Sequence, residues 1–371
     1  MSKRLHLVSF DIPYPPNYGG IIDVFYKIKE LHKLGVKIIL HTYIFDKKTT
    51  QIELEKYCEK VVYYKRNNIL RALFSFFPFR VKSRINKKLN SNLKNIDCPI
   101  LFEGLHTIYP LYKFNLKESY VRTHNIEHSY FYGLAKSEKN FLKKWFYNLE
   151  AWKLKRFEKN LNKAKGLFTI SPVEQKYFSN NFGTNVHYIP AFHESKVIKN
   201  TTTKGNFILY HGDLRVADNI KACLFLINVY KNSAYHFVIA TSIKNNNIIT
   251  EIKKYKNISI EQIPTQEDLN KLFEKAHINT LFTFQKTGIK LKLLNTLYKG
   301  KFIIVNSPLI EDTGLETTCE LANSKEEILK KTEALFQKEF TEIEIENRVE
   351  KLKQFSPEKS AKKIVDIIFR Q

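Results

Sequence analysis

Apolar residues in this chain come in short bursts, and between the bursts they recur at helical spacing. Leu5–Phe10, Val36–Tyr43, Val61–Tyr64, Pro99–Phe102, Tyr120–Thr123 and Leu167–Ile170 each read as a strand. Ile21–Leu34 reads as an amphipathic helix, with Ile22, Val24, Phe25, Ile28 and Leu31 on its apolar side and Gly35 as its stop. Buried runs separated by helices predict a parallel sheet covered on both faces. Ser171-Pro172-Val173-Glu174 has the form of a helix start, with a capping hydroxyl, proline at the first position and glutamate three residues after the serine.

The second half restarts the alternation. Phe207–Tyr210, His236–Ala240, Ile258–Ile260, Ile278–Phe282 and Phe302–Asn306 read as strands, and Asn219–Tyr230, Gln266–Ala276 and Lys290–Tyr298 as helices. A chain of 371 residues is long for one core, so two domains are expected. Val186-His-Tyr-Ile-Pro190 and the polar stretch Glu194–Gly205 lie between the halves. The expected division is a first α/β domain over residues 1–190, a linker at 191–205, a second α/β domain at 206–355 and a last helix at 356–371 that crosses back to the first domain. Ligands of doubly wound sheets bind at the carboxyl ends of the strands.

Charge changes the picture of partners. Lys and Arg number 61 against 37 Asp and Glu, a net +24, which attracts phosphates, nucleic acid or an anionic membrane. A bias toward Lys and Asn across the whole chain accounts for part of that excess. No RRM, KH, zinc-finger or helix-turn-helix signature accompanies it, so nucleic acid is not expected as a partner. Cys58, Cys98, Cys223 and Cys319 have neither disulfide-framework nor metal-ligand spacing, and reduced thiols of a cytoplasmic protein are expected. No secretory leader is expected, and no stretch reaches the apolar length of a membrane-spanning helix.

Residues 61–95 carry nine Lys and Arg, no acidic residue, and the cluster Phe74, Phe76, Phe77, Phe79. Lys136–Lys165 interleaves bases with Phe141, Trp145, Phe146, Tyr147 and Trp152. Basic residues beside aromatics suit contact with an anionic lipid surface, although each ring taken singly also fits a helix packing into a core. Peripheral association at the inner membrane face is the expectation.

Pro15-Pro16-Asn17-Tyr18-Gly19-Gly20 stands between the first strand and the first helix. A glycine pair there is either a tight turn or a place where backbone approaches an anionic ligand at a helix start.

Taken together, that loop, Arg122-Thr-His-Asn-Ile-Glu-His128, Phe168-Thr-Ile-Ser-Pro-Val-Glu174, the Tyr-Ile-Pro linker and Gly288–Gly300 resemble the GT-B glycosyltransferases over nearly the whole chain. The likeness is greatest to family 4, the retaining group that uses nucleotide-activated sugars. The resemblance implies two Rossmann-like domains facing a central cleft. It puts Gly19 and Gly20 near the donor phosphates or the transferring sugar, and His124 at the reaction centre as the catalytic residue. There an imidazole can donate to a sugar hydroxyl or stabilise oxocarbenium-like charge; a buried structural histidine is the alternative.

His106, Arg122, Asn125, Glu127 and His128 are acceptor-side candidates, His128 on the helix that follows. In the second domain Gly212 and Arg215 match the loop that meets the donor diphosphate, Arg215 by its planar fork. Where a basic residue is usual a few positions later Asn219 stands, with Lys221 two residues on. Thr287, Gly288, Lys290, Lys292 and Asn295 match the second phosphate loop, with Thr287 and Asn295 where relatives carry paired glutamates. Asn295 retains hydrogen-bonding capacity toward a ribose. The implied activity is hexosyl transfer from a nucleoside diphosphate sugar to a glycan or lipid-linked acceptor in surface polysaccharide or glycoconjugate synthesis, with neither metal nor other cofactor expected. A non-catalytic glycan-binding relative is the alternative reading, motivated by the missing glutamates.

Overall fold

A computed structural model describes residues 3–45, 49–67, 75–94, 98–138, 140–183, 185–194, 203–285 and 291–370. The chain forms two compact units, Met1–Glu194 with Gln354–Gln371, and Ser195–Lys353.

The first unit is built on seven strands: β1 (Arg4–Val8), β2 (Lys37–Ile44), β3 (Lys60–Lys65), β4 (Ile100–Glu103), β5 (Ser119–Thr123), β6 (Gly166–Thr169) and β7 (Val186–Tyr188). Their order is β3-β2-β1-β4-β5-β6-β7, and every neighbouring pair is parallel. Successive side chains alternate between faces. Leu5 and Leu7 pack on one side with Val24 and Ile28, while Val8 joins Phe102 and Val121 on the other.

Helix α1 (Gly19–Lys33) covers the first of these faces, α2 (Glu127–Ser137), α3 (Phe141–Glu158) and α4 (Pro172–Phe182) follow β5 and β6, and Ser171 caps α4 by accepting from the Glu174 amide. The helical period placed Ile22 on the buried side of α1, but Ile21 is the isoleucine without exposure, and Asp23 and Lys27 are buried with it. Val186–Tyr188, read as part of the connection, is instead the edge strand β7 paired with β6. Three residues of mixed polarity give no period from which to recognise a strand.

In the second unit β8 (Phe207–His211), β9 (Phe237–Thr241), β10 (Ile258–Gln262), β11 (Ala276–Leu281), β12 (Phe302–Val305) and β13 (Glu320–Leu321) form a six-stranded parallel sheet of order β10-β9-β8-β11-β12-β13. Helix α5 (Ala217–Tyr230) follows β8, and α6 (Leu291–Lys299) lies between β11 and β12. The last helix, α7 (Pro357–Phe369), belongs to the first unit, where Ala361, Ile364, Val365 and Ile368 join the core beside α1. In both units polar side chains collect where strands end.

Candidate functional site

In the first unit a buried charge network occupies the carboxyl ends of β4 and β5. Lys27 on α1 donates to Asp23 Oδ2 at 2.8 Å and to Glu103 Oε2 at 2.9 Å. Arg122 on β5 forks onto Asp23, Nη2 to Oδ1 at 2.7 Å and Nε to Oδ2 at 3.2 Å. His124 Nε2 meets Glu103 Oε2 at 3.0 Å, and its Nδ1 lies 3.9 Å from Asp23 Oδ2. Two carboxylates balance one ammonium and one guanidinium, which is the condition under which charges tolerate burial.

Burial opposes the charge of Asp23, but Arg122, then Lys27 and His124, outweigh it and hold its carboxyl well below the usual range. Asp23, Glu103 and His124 bring ligand atoms within 4.8 Å of one another, a spacing that would suit a metal. Lys27 already bridges the two carboxylates, so their charge is met by an ammonium.

This geometry revises several expected roles. Arg122 is wholly buried; besides Asp23 it donates to the carbonyls of Ile189 at 2.6 Å and Pro190 at 3.0 Å. Asp23 also accepts from the Phe192 amide at 2.8 Å. Arg122 therefore ties the segment after β7 to α1, its guanidinium engaged by these protein groups. His128 lies on α2 against Glu158 of α3, Nδ1 to Oε1 3.3 Å, and against the ring of Tyr177, which makes it a helix-packing residue. Gly20 is required by Phe10, because a Cβ there would meet the Phe10 ring at 2.7 Å. The same ring stands edge-on to His106 and His124, and Gly104, at φ +74°, closes the group. Asn125 is half-buried between His124 and α2.

His106 Nε2 lies 3.6 Å from Glu127 Oε2. Burial, reinforced by Arg80 and Arg84, holds the imidazole well below its ordinary value. Burial likewise pushes the Glu127 carboxyl up to about 7, with Arg80 and Arg84 opposing the rise.

In the second unit the strand ends carry fewer charges. Asp218 near the start of α5 accepts from the Thr283 hydroxyl at 2.6 Å and the Phe284 amide at 2.9 Å, and Asn306 brackets Thr283 through its amide and carbonyl. Gly212 is needed because a Cβ would come within 3.0 Å of the Tyr210 hydroxyl. Arg215 is tied to Asp213 two residues back, Nη2 to Oδ2 2.7 Å and Nε to Oδ1 3.0 Å, so its fork is already engaged with a carboxylate.

Lys292 of α6 reaches Asn219 Oδ1 at 3.3 Å and the Phe282 carbonyl at 3.4 Å. A cation thus arrives from another helix beside Asn219. Asn295 follows one turn later on α6, half-buried. His211, at the end of β8, is buried with both ring nitrogens unpartnered among the described residues, and burial pushes its imidazole down to about 3. Thr287, Gly288 and Lys290 lie outside the described residues.

Of the aromatic and basic segments, Phe76 is fully exposed, and Phe141, Leu142, Trp145 and Trp152 on α3 are exposed as well. Phe77 instead packs on Tyr109, Tyr112 and Phe157, and Phe79 on Phe146. Phe74 lies outside the described residues. Among the described residues no helix is long and apolar enough to cross a membrane.

Sequence reasoning missed Asp23, Lys27 and Glu103. The signal available was two charged residues one turn apart on the apolar side of an amphipathic helix, which calls for a buried partner.

Two unlinked parallel sheets, each with helices and each ending in a polar cluster, define the GT-B fold of glycosyltransferases, and structural comparison bears this out. Sucrose-phosphate synthase from Thermosynechococcus elongatus superimposes with a TM-score of 0.72 over 98% of both chains at 13% identity. A mutant of TarM from S. aureus, solved with fondaparinux, alpha-GlcNAc-glycerol and UDP, gives 0.66 over 99% of this chain and 100% of its own, at 12% identity. By sequence, the chain is 28% identical over 350 residues to an uncharacterized 44.6 kDa protein in the cps region of Klebsiella pneumoniae, covering 88% of each. No protein-family profile matches.

Proposed function

We propose that this protein is a retaining glycosyltransferase that moves a hexose-type unit from a nucleoside diphosphate sugar to a glycan or lipid-linked saccharide in surface polysaccharide synthesis. The observation that carries this reading is at the carboxyl end of β8, where Gly212 leads to the start of α5 and Lys292 reaches Asn219 of that helix; helix N–H groups and an ammonium favour a diphosphate. UDP in the TarM complex and the cps location of the sequence relative support the nucleotide donor and the polysaccharide setting. On the first unit, His124 serves the reaction centre. Glu103 anchors one ring nitrogen, and the other makes no hydrogen bond among the described residues, leaving it for a sugar hydroxyl or developing charge.

The test is to incubate the protein with UDP- and GDP-sugars, follow nucleotide release, and read the anomeric configuration of the product by NMR. His124→Ala should lower turnover by about a hundredfold, within the range of general acid–base contributions, at nearly unchanged donor affinity. No nucleotide binding by correctly folded protein would reject the proposal.

The protein binds anionic membrane through Phe76 and the exposed face of α3, where Phe141, Trp145 and Trp152 share a stripe flanked by Lys144 and Arg156. Phe76→Ser with Trp145→Ser should abolish sedimentation with anionic liposomes while sparing donor hydrolysis. A second reading, a glycan-binding protein without transfer activity, is favoured by Asn295 in place of a carboxylate and by the engagement of Arg215 with Asp213. Stabilisation of the protein against heat by a nucleotide sugar would exclude it.

A further inference from the structure

A second group of charges in the first unit has no part in the network around Asp23. Arg84 is buried; its Nε donates to the Phe10 carbonyl at 2.8 Å and its Nη1 to the Arg80 carbonyl at 2.7 Å. Arg66 Nη2 donates to Ser83 Oγ at 3.2 Å, the same oxygen that lies 3.4 Å from Arg84 Nη1. Two guanidiniums sharing one hydroxyl are close neighbours of like charge. Arg80 stands over the ring of Phe131, 5.1 Å from its centroid. Burial first, then Arg66 and Arg80, push the Arg84 guanidinium down to about 9.

The local structure holds these residues in place. The Glu150 carboxylate accepts from the amides of Phe79 and Arg80 at 2.8 and 3.1 Å. Asn67 is bound to the carbonyls of Lys82 and Ile85.

What the group lacks among the described residues is a carboxylate in direct contact, although Asp11 acts on Arg66 and Arg84 from farther off. Among the described residues none of the three guanidiniums is in ion-pair contact with a carboxylate: Asp11 accepts from the Ile12 amide and the Tyr18 hydroxyl, and Glu127 faces His106 with its carboxyl pushed up to about 7, chiefly by burial. Among the described residues Arg66 Nε is buried without a hydrogen-bond partner, and His106, only 5% exposed, leaves Nδ1 without one. Clustered like charges and unmet buried donors are costly unless a ligand supplies the missing acceptors. Phe10 links this group to the strand ends, since its carbonyl takes Arg84 and its ring stands against His106 and His124.

We infer that Arg66, Arg80 and Arg84, together with His106, form a binding site for a phosphate or diphosphate group, and that this group is carried by the acceptor. The last clause rests on the glycosyltransferase reading; the anion site itself does not. Guanidinium forks match phosphate oxygens in pairs. Arg80 lies four residues after the exposed Phe76, and this segment is tied to α3 at both places, by Lys153 on the Ser75 carbonyl and by Glu150 on the Arg80 amide. A phosphate ester held at a membrane surface by a lipid carrier satisfies both features, and a free phosphate compound shares the chemistry.

The experiment is calorimetric titration of the full chain in saturating UDP, so that a nucleotide site on the second unit is filled. The probes are inorganic pyrophosphate, a short-chain alkyl diphosphate and an uncharged alkyl glycoside. The wild type should bind both phosphate probes and ignore the glycoside. Arg66→Gln and Arg80→Gln should each weaken phosphate binding about tenfold, as loss of a charge-assisted pair implies. Arg66→Lys and Arg80→Lys should recover part of it. Circular dichroism melts identify any variant that fails to fold, in which case the lysine variants decide.

Tighter binding of the alkyl diphosphate than of pyrophosphate marks a lipid-linked source, and equal binding a free anion. Absence of phosphate binding in the wild type, or unchanged affinity in folded glutamine variants, would overturn the inference. UDP binding measured separately keeps that failure distinct from failure of the glycosyltransferase reading: UDP bound but pyrophosphate indifferent to Arg66 and Arg80 sinks only the anion site.

Discussion

The two units end their sheets in opposite electrostatic styles. At β4 and β5, Asp23, Glu103, Lys27 and Arg122 neutralise one another within a buried network, and His124 is fixed on its rim. At β8 and β11, Asp218 accepts from the Thr283 hydroxyl and Asn306 brackets Thr283, while Lys292 of another helix reaches the Asn219 amide oxygen and the Phe282 carbonyl. The first arrangement joins opposite charges and fixes the His124 ring through Glu103. The second brings an ammonium beside a helix start, the combination that attracts an anion. Substitution should therefore cost stability in the first unit and affinity in the second.

The largest effect is expected from Asp23→Ala. It strands Arg122 and Lys27 without their shared carboxylate, and loss of one partner of a buried pair costs about 3–5 kcal/mol. Urea denaturation should show it; a change under 1 kcal/mol would mean that the network is not the keystone of the first unit. Next, Lys292→Ala should weaken UDP binding about tenfold in a calorimetric titration, the loss expected of one charge-assisted contact. Its unfolding midpoint should hardly move, and a large loss of stability with intact affinity would reverse the comparison.

A pH effect of middle size follows from Glu127. Its folded value of about 7 lies above the ordinary 4.5, so the folded state keeps a proton that the unfolded state has released between those values. Stability from this group therefore falls as pH rises from 4.5 to 7. Glu127→Gln should match the wild type near pH 4 and exceed it at pH 8 by on the order of 2 kcal/mol. His41 and His211 pull the other way. Burial holds both near 3 against an ordinary 6.5, so the unfolded chain takes up their protons first and stability drops as pH falls below about 6.5. The smallest effect is expected from Arg215→Ala, less than threefold on UDP affinity, because Asp213 already engages the fork. A tenfold loss would show that ligand displaces that pair.

Most of the fold was legible because its signals are local. The predicted strands of the first sheet, from Leu5–Phe10 to Leu167–Ile170, coincide with β1–β6 to within a residue or two at most ends. The helix start at Ser171 is a real cap. His124 and Arg122 were recognisable as residues at a strand end, yet nothing local distinguished the one that holds the structure together from the one that borders a site. The exposed Phe76 and the packed Phe77 and Phe79 illustrate the same limit: adjacent rings of one type differ only in which neighbours the fold provides.

By itself, the sequence determined the alternation of strands and helices, the division into two sheets and the cap at Ser171, since these depend on residue spacing over a few turns. Tertiary structure alone decided that Arg122 meets Asp23 across 99 positions and Lys27 meets Glu103 across 76. It also decided that Phe10 fills the space over Gly20, that Lys292 reaches Asn219, and that three arginines gather with no carboxylate in ion-pair contact among the described residues. Such pairings leave no periodic trace, because a charge finds its partner through the order of strands in a sheet rather than through its place along the chain.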